Sequence, residues 1–209
     1  MDNIELTKSE LDQLAEVVNI GGGNAATAFS HMLGRKIQMD VPKPYIGKVE
    51  EVQRILGDTS DVVLAVFLKM YGDLEGGLAI IFQPESALKF AEILTKISKN
   101  NIESFDEDDR SALREVGNIL LGASITALGK FLNMNILHSI PDVATDMLGA
   151  VMDSVILEMG AKTDKILSFR INLEIIEESV KGELFYLFDP VSSAKILKQT
   201  KVIMGTIAK

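Results

Sequence analysis

The chain has no cysteine and no tryptophan, and only two histidines, His31 and His138, among its 209 residues. Without cysteine it forms no disulfide and has no thiol nucleophile. The two histidines lie far apart in the sequence and have no neighbouring ligand pattern, so a zinc site or a Ser-His-Asp triad has little to be built from. These absences argue against the commonest kinds of hydrolytic centre.

Long apolar runs and basic runs are also absent. No run approaches the ~18 apolar residues that a membrane-spanning helix needs, and Met1–Leu6 has neither the basic nor the apolar region of a signal peptide. We therefore expect a cytoplasmic protein without membrane insertion. The 30 acidic and 21 basic residues give a net charge of −9, which repels nucleic-acid phosphates. We expect no nucleic-acid partner.

What the sequence does contain is one motif in two copies. Ser9-Glu-Leu-Asp-Gln-Leu-Ala-Glu-Val-Val-Asn-Ile-Gly-Gly-Gly23 is echoed by Asp108-Asp-Arg-Ser-Ala-Leu-Arg-Glu-Val-Gly-Asn-Ile-Leu-Leu-Gly122. The acid, amide and glycine of the first copy recur 99 residues later, and Gly76–Pro84 recurs 106 residues later as Gly182–Pro190. These constant offsets indicate an internal duplication, and the change from 99 to 106 indicates about seven residues inserted in the second half.

Two halves of about 100 residues that each lack a complete core favour one fused domain. We predict a single α+β domain over 1–209, with pseudo-repeats 1–100 and 101–209 related by pseudo-twofold symmetry and antiparallel strands packed against long helices. Two capping pairs, each of residues three apart, are typical of helix starts: Thr7 with Glu10, and Asp106 with Asp109. Both motif copies should therefore lie on helices.

The remaining pattern is a strand hairpin followed by a helix in each half. The predicted segments are Val62–Met70, Gly77–Phe82 and Ser86–Lys99 in the first half, and Ile166–Ile176, Glu183–Phe188 and Ser192–Ile203 in the second. The insertion falls in Asp142–Gly160, whose apolar residues have loosely helical spacing.

At 100° per residue, the polar residues of each copy fall on one stripe about 60° wide, opposite the apolar residues. The stripes are Asp12, Glu16, Asn19 and Gly23, and Ser111, Glu115, Asn118 and Gly122, with Ile20 or Ile119 at the edge. A glycine inside a helix costs roughly 1 kcal/mol relative to alanine, so its recurrence suggests that something approaches the backbone there. A single Glu-x-x-Asn is more often ordinary surface, and glycine also permits close helix packing; retention in both copies favours a docking surface.

An amide is neither a nucleophile nor a useful base at neutral pH, but it can accept a hydrogen bond from a water and donate one to the group under attack. Glutamine does this in GTPases, where phosphoryl transfer needs mostly positioning and electrostatics. An Asn offered to an already activated phosphoryl group needs little else, and the Glu can serve as a docking anion.

The run Glu16-x-x-Asn-Ile-Gly-x-Gly-Asn-Ala-Ala-Thr-Ala28, echoed as Glu115-Val-Gly-Asn-Ile-Leu-Leu-Gly122, resembles the CheC family of chemotaxis proteins over nearly the whole chain. The resemblance implies a phosphatase that hydrolyses the aspartyl phosphate of the response regulator CheY. Asn19 or Asn118 would orient the attacking water, and Glu16 or Glu115 would bridge to a lysine of CheY. It also implies no cofactor or metal site of its own, because CheY supplies the Mg²⁺.

The resemblance further implies binding of the receptor deamidase CheD through Asp142–Ser154, with Asp146 as the residue to probe. We expect a monomer or a heterodimer with CheD. The alternative is an adaptor that binds CheD with little or no catalysis.

The two motif copies differ after the Asn. Gly21-Gly-Gly23 follows Asn19 where Leu120-Leu-Gly122 follows Asn118, and three glycines weaken a helix by roughly 2–3 kcal/mol. We hypothesise that the second site is the stronger, because its helix is more rigid.

Overall fold

The computed structural model describes residues 7–40, 44–48, 51–52, 54, 57–159 and 165–207. These residues form one mixed fold of helices and antiparallel strands. In chain order the elements are α1 (Lys8–Leu33), β1 (Ile37–Met39), β2 (Pro44–Lys48), β3 (Val62–Gly72), β4 (Gly76–Phe82), α2 (Pro84–Thr95), a 3₁₀ turn (Ile102–Ser104), α3 (Glu107–Leu132), β5 (Ile136–His138), β6 (Asp142–Met147), α4 (Leu148–Met159), β7 (Lys165–Ile175), β8 (Val180–Phe188) and α5 (Pro190–Ile207).

The starts of the two long helices are confirmed. In α1 the Thr7 hydroxyl accepts from the amide of Glu10, and the Glu10 carboxylate accepts from the amide of Thr7. Asp106 and Asp109 form the same reciprocal pair at the start of α3. These pairs satisfy backbone donors that a helix start would otherwise leave free.

One sheet contains strands from both halves of the sequence, in the order β1-β7-β8-β4-β3-β5, with β2 also on β7 and β6 also on β3. Every pairing among the described strands is antiparallel. The short strands of each half thus complete the hairpin of the other half. This exchange explains why the duplicated sequence forms a single domain.

The sheet separates two apolar cores. Helices α1, α2, α3 and α5 cover the first face, and the larger core lies between them and the sheet. Helix α4 covers part of the second face through buried residues that include Leu148, Val151 and Met152. Both motif helices therefore lie side by side on the first face. No helix among the described residues combines the length and apolar character that crossing a membrane requires.

The structure corrects several sequence-based expectations. The first six residues of Asp142–Gly160 are not helical but form β6, which pairs with β3, and only the part from Leu148 onward is a helix. Strands β1, β2 and β5 were not predicted, and α2 ends at Thr95, before Lys99. Gly160 lies outside the described residues.

The insertion is split between two places. Leu68 faces Leu78 in the first hairpin, and Ile171 faces Leu184 in the second. The offset between the halves is therefore 103 residues in the first strand of the hairpin and 106 in the second. Part of the added length precedes β7, and the rest lies in the turn between β7 and β8.

Candidate functional site

The two motif stripes lie on the outer side of adjacent helices, as their spacing predicted. On α1 the inward residues Leu14 and Val18 are buried, and on α3 Leu113 and Leu121 are buried. The outward stripes consist of Asp12, Glu16 and Gly23, which are exposed, with half-buried Asn19 and Ile20, and of Ser111, Glu115 and Asn118, which are exposed, with half-buried Ile119. Each stripe thus offers an acid and an amide to solvent.

The acid and amide side chains have no partners of their own within the described part of the chain. Neither Glu16 and Asn19 nor Glu115 and Asn118 makes a side-chain hydrogen bond or ion pair there. A functional amide must keep its oxygen and its NH₂ group available for a water and a substrate. This arrangement leaves both groups available at both sites.

The glycines of the two stripes have different environments. A Cβ placed on Gly23 would meet nothing within 4 Å, so the backbone there is open to an approaching molecule. Gly122 is buried, and a Cβ there would lie 3.2 Å from Nε2 of His138. The expectation of an open glycine is therefore wrong for Gly122, which makes room for a side chain of this protein.

The glycines that precede Gly23 serve packing. A Cβ on Gly21 would lie 2.9 Å from the Tyr186 hydroxyl and 3.3 Å from the Ser124 carbonyl oxygen, and one on Gly22 would lie 3.0 Å from Cδ1 of Ile171. Tyr186 is fully buried and hydrogen-bonded to the Ser124 hydroxyl, and burial raises its pKa. The glycines thus let α1 approach both α3 and the sheet closely.

Two side chains reinforce α1 where these glycines weaken it. Nδ2 of Asn24 donates to the Ile20 carbonyl oxygen at 2.9 Å, and the Thr27 hydroxyl donates to that of Gly23 at 2.9 Å. Helix α1 continues without interruption through the glycine run. These bonds were not predicted from the sequence.

Ion pairs hold the starts of both motif helices. Nζ of Lys201 in α5 lies 2.5 Å from Oε1 of Glu10, and this hydrogen bond is the main reason that the pKa of Glu10 falls to about 2. Lys99 contacts Asp106 at 2.7 Å and buried Asp109 at 3.1 Å. The Lys99 hydrogen bond lowers the pKa of Asp106 to about 2. Each motif helix therefore begins at a defined position.

Comparison with known proteins assigns this arrangement to a family. A model of the CheC-like family matches residues 10–46, and a model of the chemotaxis phosphatase CheX matches residues 64–157. The CheY-P phosphatase CheC of Bacillus subtilis is 32% identical over 197 residues, which cover 91% of this chain and 93% of that protein. The chain belongs to the CheC family. The first motif copy falls almost wholly within the CheC-like match, and the second within the CheX match.

Solved structures share the fold of this CheC-family chain. FliY of Thermotoga maritima matches with a TM-score of 0.76 and 24% identity, covering 96% of this chain and all of that one. The complex of CheX with CheY, BeF₃ and Mg²⁺ from Borrelia burgdorferi matches with a TM-score of 0.54 and 18% identity, covering 86% of this chain and 99% of that one. At these identities the likeness shows the fold alone.

The close packing around Gly117 was not predicted. This glycine replaces Val18 of the first copy, and a Cβ there would overlap Val66 on β3 and lie 3.6 Å from Pro141. Gly117 immediately precedes Asn118, so the close packing holds the amide-bearing turn of α3 against the sheet. The departure from valine to glycine was the only signal in the sequence.

The segment expected to bind CheD begins beside the helix of the second stripe, where Arg110 donates to the Val143 carbonyl oxygen. Asp146 is exposed on β6 opposite Val63, and its Oδ1 accepts from the Met147 amide at 2.7 Å. Met147 is also exposed, at 49%. Among the described residues, no group of three or more histidines and carboxylates is placed to hold a metal ion.

Proposed function

We propose that this protein hydrolyses the aspartyl phosphate of CheY, using Asn19 and Glu16 at one site and Asn118 and Glu115 at the other. The observation that supports the proposal is the duplicated pair of an acid and an amide, each on an outward helix face and without a partner inside the described chain. The B. subtilis relative is a CheY-P phosphatase. An exposed helix face that offers an acid and an amide at both sites is suited to binding a folded protein as substrate.

The reaction is an in-line displacement at phosphorus. The amide oxygen of Asn19 or Asn118 accepts a hydrogen bond from a water, and the NH₂ group donates to a phosphoryl oxygen, so the water lies opposite the leaving carboxylate. The oxygen of the water bonds to phosphorus as the bond to the aspartyl oxygen breaks. Inorganic phosphate leaves with both protons of the water, and the carboxylate of the CheY aspartate is regenerated. The Asn acts by placing the water.

Glu16 and Glu115 act in docking. Each lies one turn before its Asn on the same stripe, so a cation of CheY that pairs with the carboxylate places the phosphoryl group near the amide. In the proposed complex that cation is a lysine side chain of CheY. The net charge of −9 also favours approach of a basic surface. Asp12, Ser111, Ile20 and Ile119 would complete the contact.

In the proposed reaction CheY binds the Mg²⁺, and the reaction takes place in the cytoplasm. The solved CheX complex contains CheY, BeF₃ and Mg²⁺. The metal would stabilise the charge on the phosphoryl oxygens and on the leaving carboxylate. The residues of this chain would then supply only positioning and docking.

We further propose that the protein binds CheD through β6 and the start of α4, as a monomer that forms a heterodimer. Exposed Met147 and Asp146 favour this surface, because protein interfaces combine an apolar centre, in which methionine is enriched, with a polar rim. In the alternative function, this binding is the main output and hydrolysis is slight or absent. Replacement of Asp146 by Lys should weaken CheD binding in either case.

The decisive experiment measures phosphate release from phosphorylated CheY with Mg²⁺ present. Wild type should accelerate the release, Asn19→Ala and Asn118→Ala should each lose part of the activity, and the double variant should be inactive while remaining folded by circular dichroism. Asn100→Ala, at an exposed asparagine in the connection between α2 and α3 and on neither stripe, is the matched control and should retain full activity. An inactive wild type, with or without CheD, would establish the adaptor function instead.

A further inference from the structure

The connection between β5 and β6, residues 139–141, runs beside the outward stripe of α3. Ser139 is held by two hydrogen bonds to Lys69 on β3. Its amide donates to the Lys69 carbonyl oxygen at 2.9 Å, and its hydroxyl accepts from the Lys69 amide at 3.0 Å. Pro141 is buried, with its Cβ against Gly117. The residue between them is therefore presented on a rigid support.

That residue is Ile140, which is 83% exposed. Among the large apolar residues in the described part of the chain, only Leu157 on α4, at 81%, is comparably exposed. Because Ser139 is hydrogen-bonded to β3 and Pro141 is packed on α3, the backbone at Ile140 cannot turn inward without breaking these contacts. A rigidly held, solvent-facing isoleucine loses little conformational freedom when a partner covers it, which favours binding.

Ile140 also borders an open cleft of about 360 Å³, lined by Arg114, Ser139, Ile140, Pro141 and Asp142. Arg114 precedes Glu115 directly, and its guanidinium donates to Glu107 at 3.2 Å. Arg110, one turn earlier, donates to the Val143 carbonyl oxygen at 3.4 Å. The cleft thus lies along the flank of the Ser111-Glu115-Asn118 stripe.

We propose that Ile140 is an apolar anchor for the phosphorylated response regulator at the second site. The inference rests on the proposed function, because it takes CheY as the molecule that covers Glu115 and Asn118. A folded protein seated on this stripe extends beyond it by more than the width of one side chain and must meet the adjoining rim. Ile140 supplies the buried apolar contact at that rim, while Glu115 supplies the charged one.

The rim differs between the two halves. By the 99-residue offset, Arg114 corresponds to Ala15, His138 to Met39 and Ile140 to Val41, which lies outside the described residues. The first site therefore has no cation at the position of Arg114. Arg114 distinguishes the second site chemically, and Ile140 and its cleft border the second stripe. A change at Ile140 should therefore affect the second site.

Affinity for CheY carrying BeF₃ and Mg²⁺ tests the anchor without any need for catalysis. Isothermal titration should show two binding sites, and Ile140→Ser should raise the Kd of one of them roughly tenfold, the effect of losing one well-buried aliphatic contact, while the Kd of the other stays unchanged. Leu157→Ser on α4 is the matched control, because Leu157 is equally exposed at 81%, and its Kd should stay within about twofold of wild type. Equal affinities for wild type and Ile140→Ser, or no binding by either, would overturn the anchor.

Kinetics of phosphate release then assign the anchor to one site. In the Asn19→Ala background only the second site acts, and adding Ile140→Ser should raise KM about tenfold with kcat nearly unchanged. In the Asn118→Ala background the same substitution should leave both parameters unchanged. Hydrolysis with an unaltered KM in the first background would refute the anchor and leave the proposed function intact. Absence of hydrolysis in every variant would refute the proposed function, and the affinity measurement would still decide the role of Ile140.

Discussion

Ala79 on β4 pairs directly with Phe185 on β8, which is its own counterpart in the other half of the sequence. A residue can face its own duplicate only where the symmetry axis passes between the two strands. The β4–β8 pair therefore marks the pseudo-twofold axis, and both halves contribute equally to the centre of the sheet. Packing near this pair should be sensitive to small changes on either strand.

Gly182→Ala should destabilise the fold. A Cβ at Gly182 would lie 2.6 Å from Cε1 of Phe82, a fully buried ring that has little room to move. Overpacking of this kind costs about 1–3 kcal/mol. Urea unfolding followed by circular dichroism should show a lower midpoint with an unchanged m-value. A midpoint equal to that of wild type would mean that the ring can shift freely.

Gly23→Ala should separate stability from function. No atom lies within 4 Å of the added methyl group, and alanine favours the helix over glycine by about 0.5–1 kcal/mol. Tm should rise by roughly 1–4 °C. In the Asn118→Ala background, the same change should raise KM for phosphorylated CheY, because the methyl group occupies the approach to the backbone beside Asn19. An unchanged KM would show that CheY does not approach the first stripe at Gly23.

Asn118→Ala should cost more activity than Asn19→Ala. The turn that carries Asn118 is held by Gly117 against Val66 and Pro141. The helix after Asn19 contains three glycines, which are weak helix formers although two of them pack against α3 and the sheet. A loosely held group forfeits part of its positioning advantage. We expect the Asn118→Ala variant to retain less than about half of the wild-type phosphate release, and Asn19→Ala more than half. Equal losses would contradict the difference in rigidity.

Loss of the Lys201–Glu10 ion pair should change the acid sensitivity of the fold. The pKa of Glu10 is lowered from 4.5 to about 2. A lowered pKa means stability that is present above about pH 4.5 and lost as the pH falls towards 2. Lys201→Met should raise the Glu10 pKa, measured by carbon NMR titration, and reduce the drop in unfolding free energy over this pH window.

The control for the ion pair is Lys198→Met, at an exposed lysine on the same helix for which the structure shows no contact to Glu10. It should leave the Glu10 titration unchanged. Equal shifts in both variants would indicate a general effect of net charge rather than a specific hydrogen bond. The proximity of Lys201 to the helix start makes the specific effect the expected one.

Local patterns in the sequence predicted the parts of the fold that local physics decides. Thr7 with Glu10 located the start of α1, because capping acts within one helical turn. Asp142–Met147 looked helical from its apolar spacing, but pairing with the distant strand β3 made it β6. Tertiary pairing overrides local preference, and a single sequence does not display it.

The candidate site was predictable to the same degree. Helical spacing placed Glu16 and Asn19 outward because it depends only on the angle per residue. The sequence could not tell whether Gly122 makes room for a partner or for His138, because that choice depends on where β5 returns. The exposure of Ile140 was equally hidden, since it follows from contacts of its neighbours with β3 and α3.

The exchange of short strands between the halves sets the order in which the chain can acquire its shape. Ile37 in β1 pairs with Ile175 in β7, so the ribosome has made most of the protein before β1 meets its partner. Pairings so distant in sequence form slowly, and unpaired strands left waiting are open to wrong associations. During synthesis the first half therefore stays incomplete, and the duplicated chain gains its final form late and as a unit.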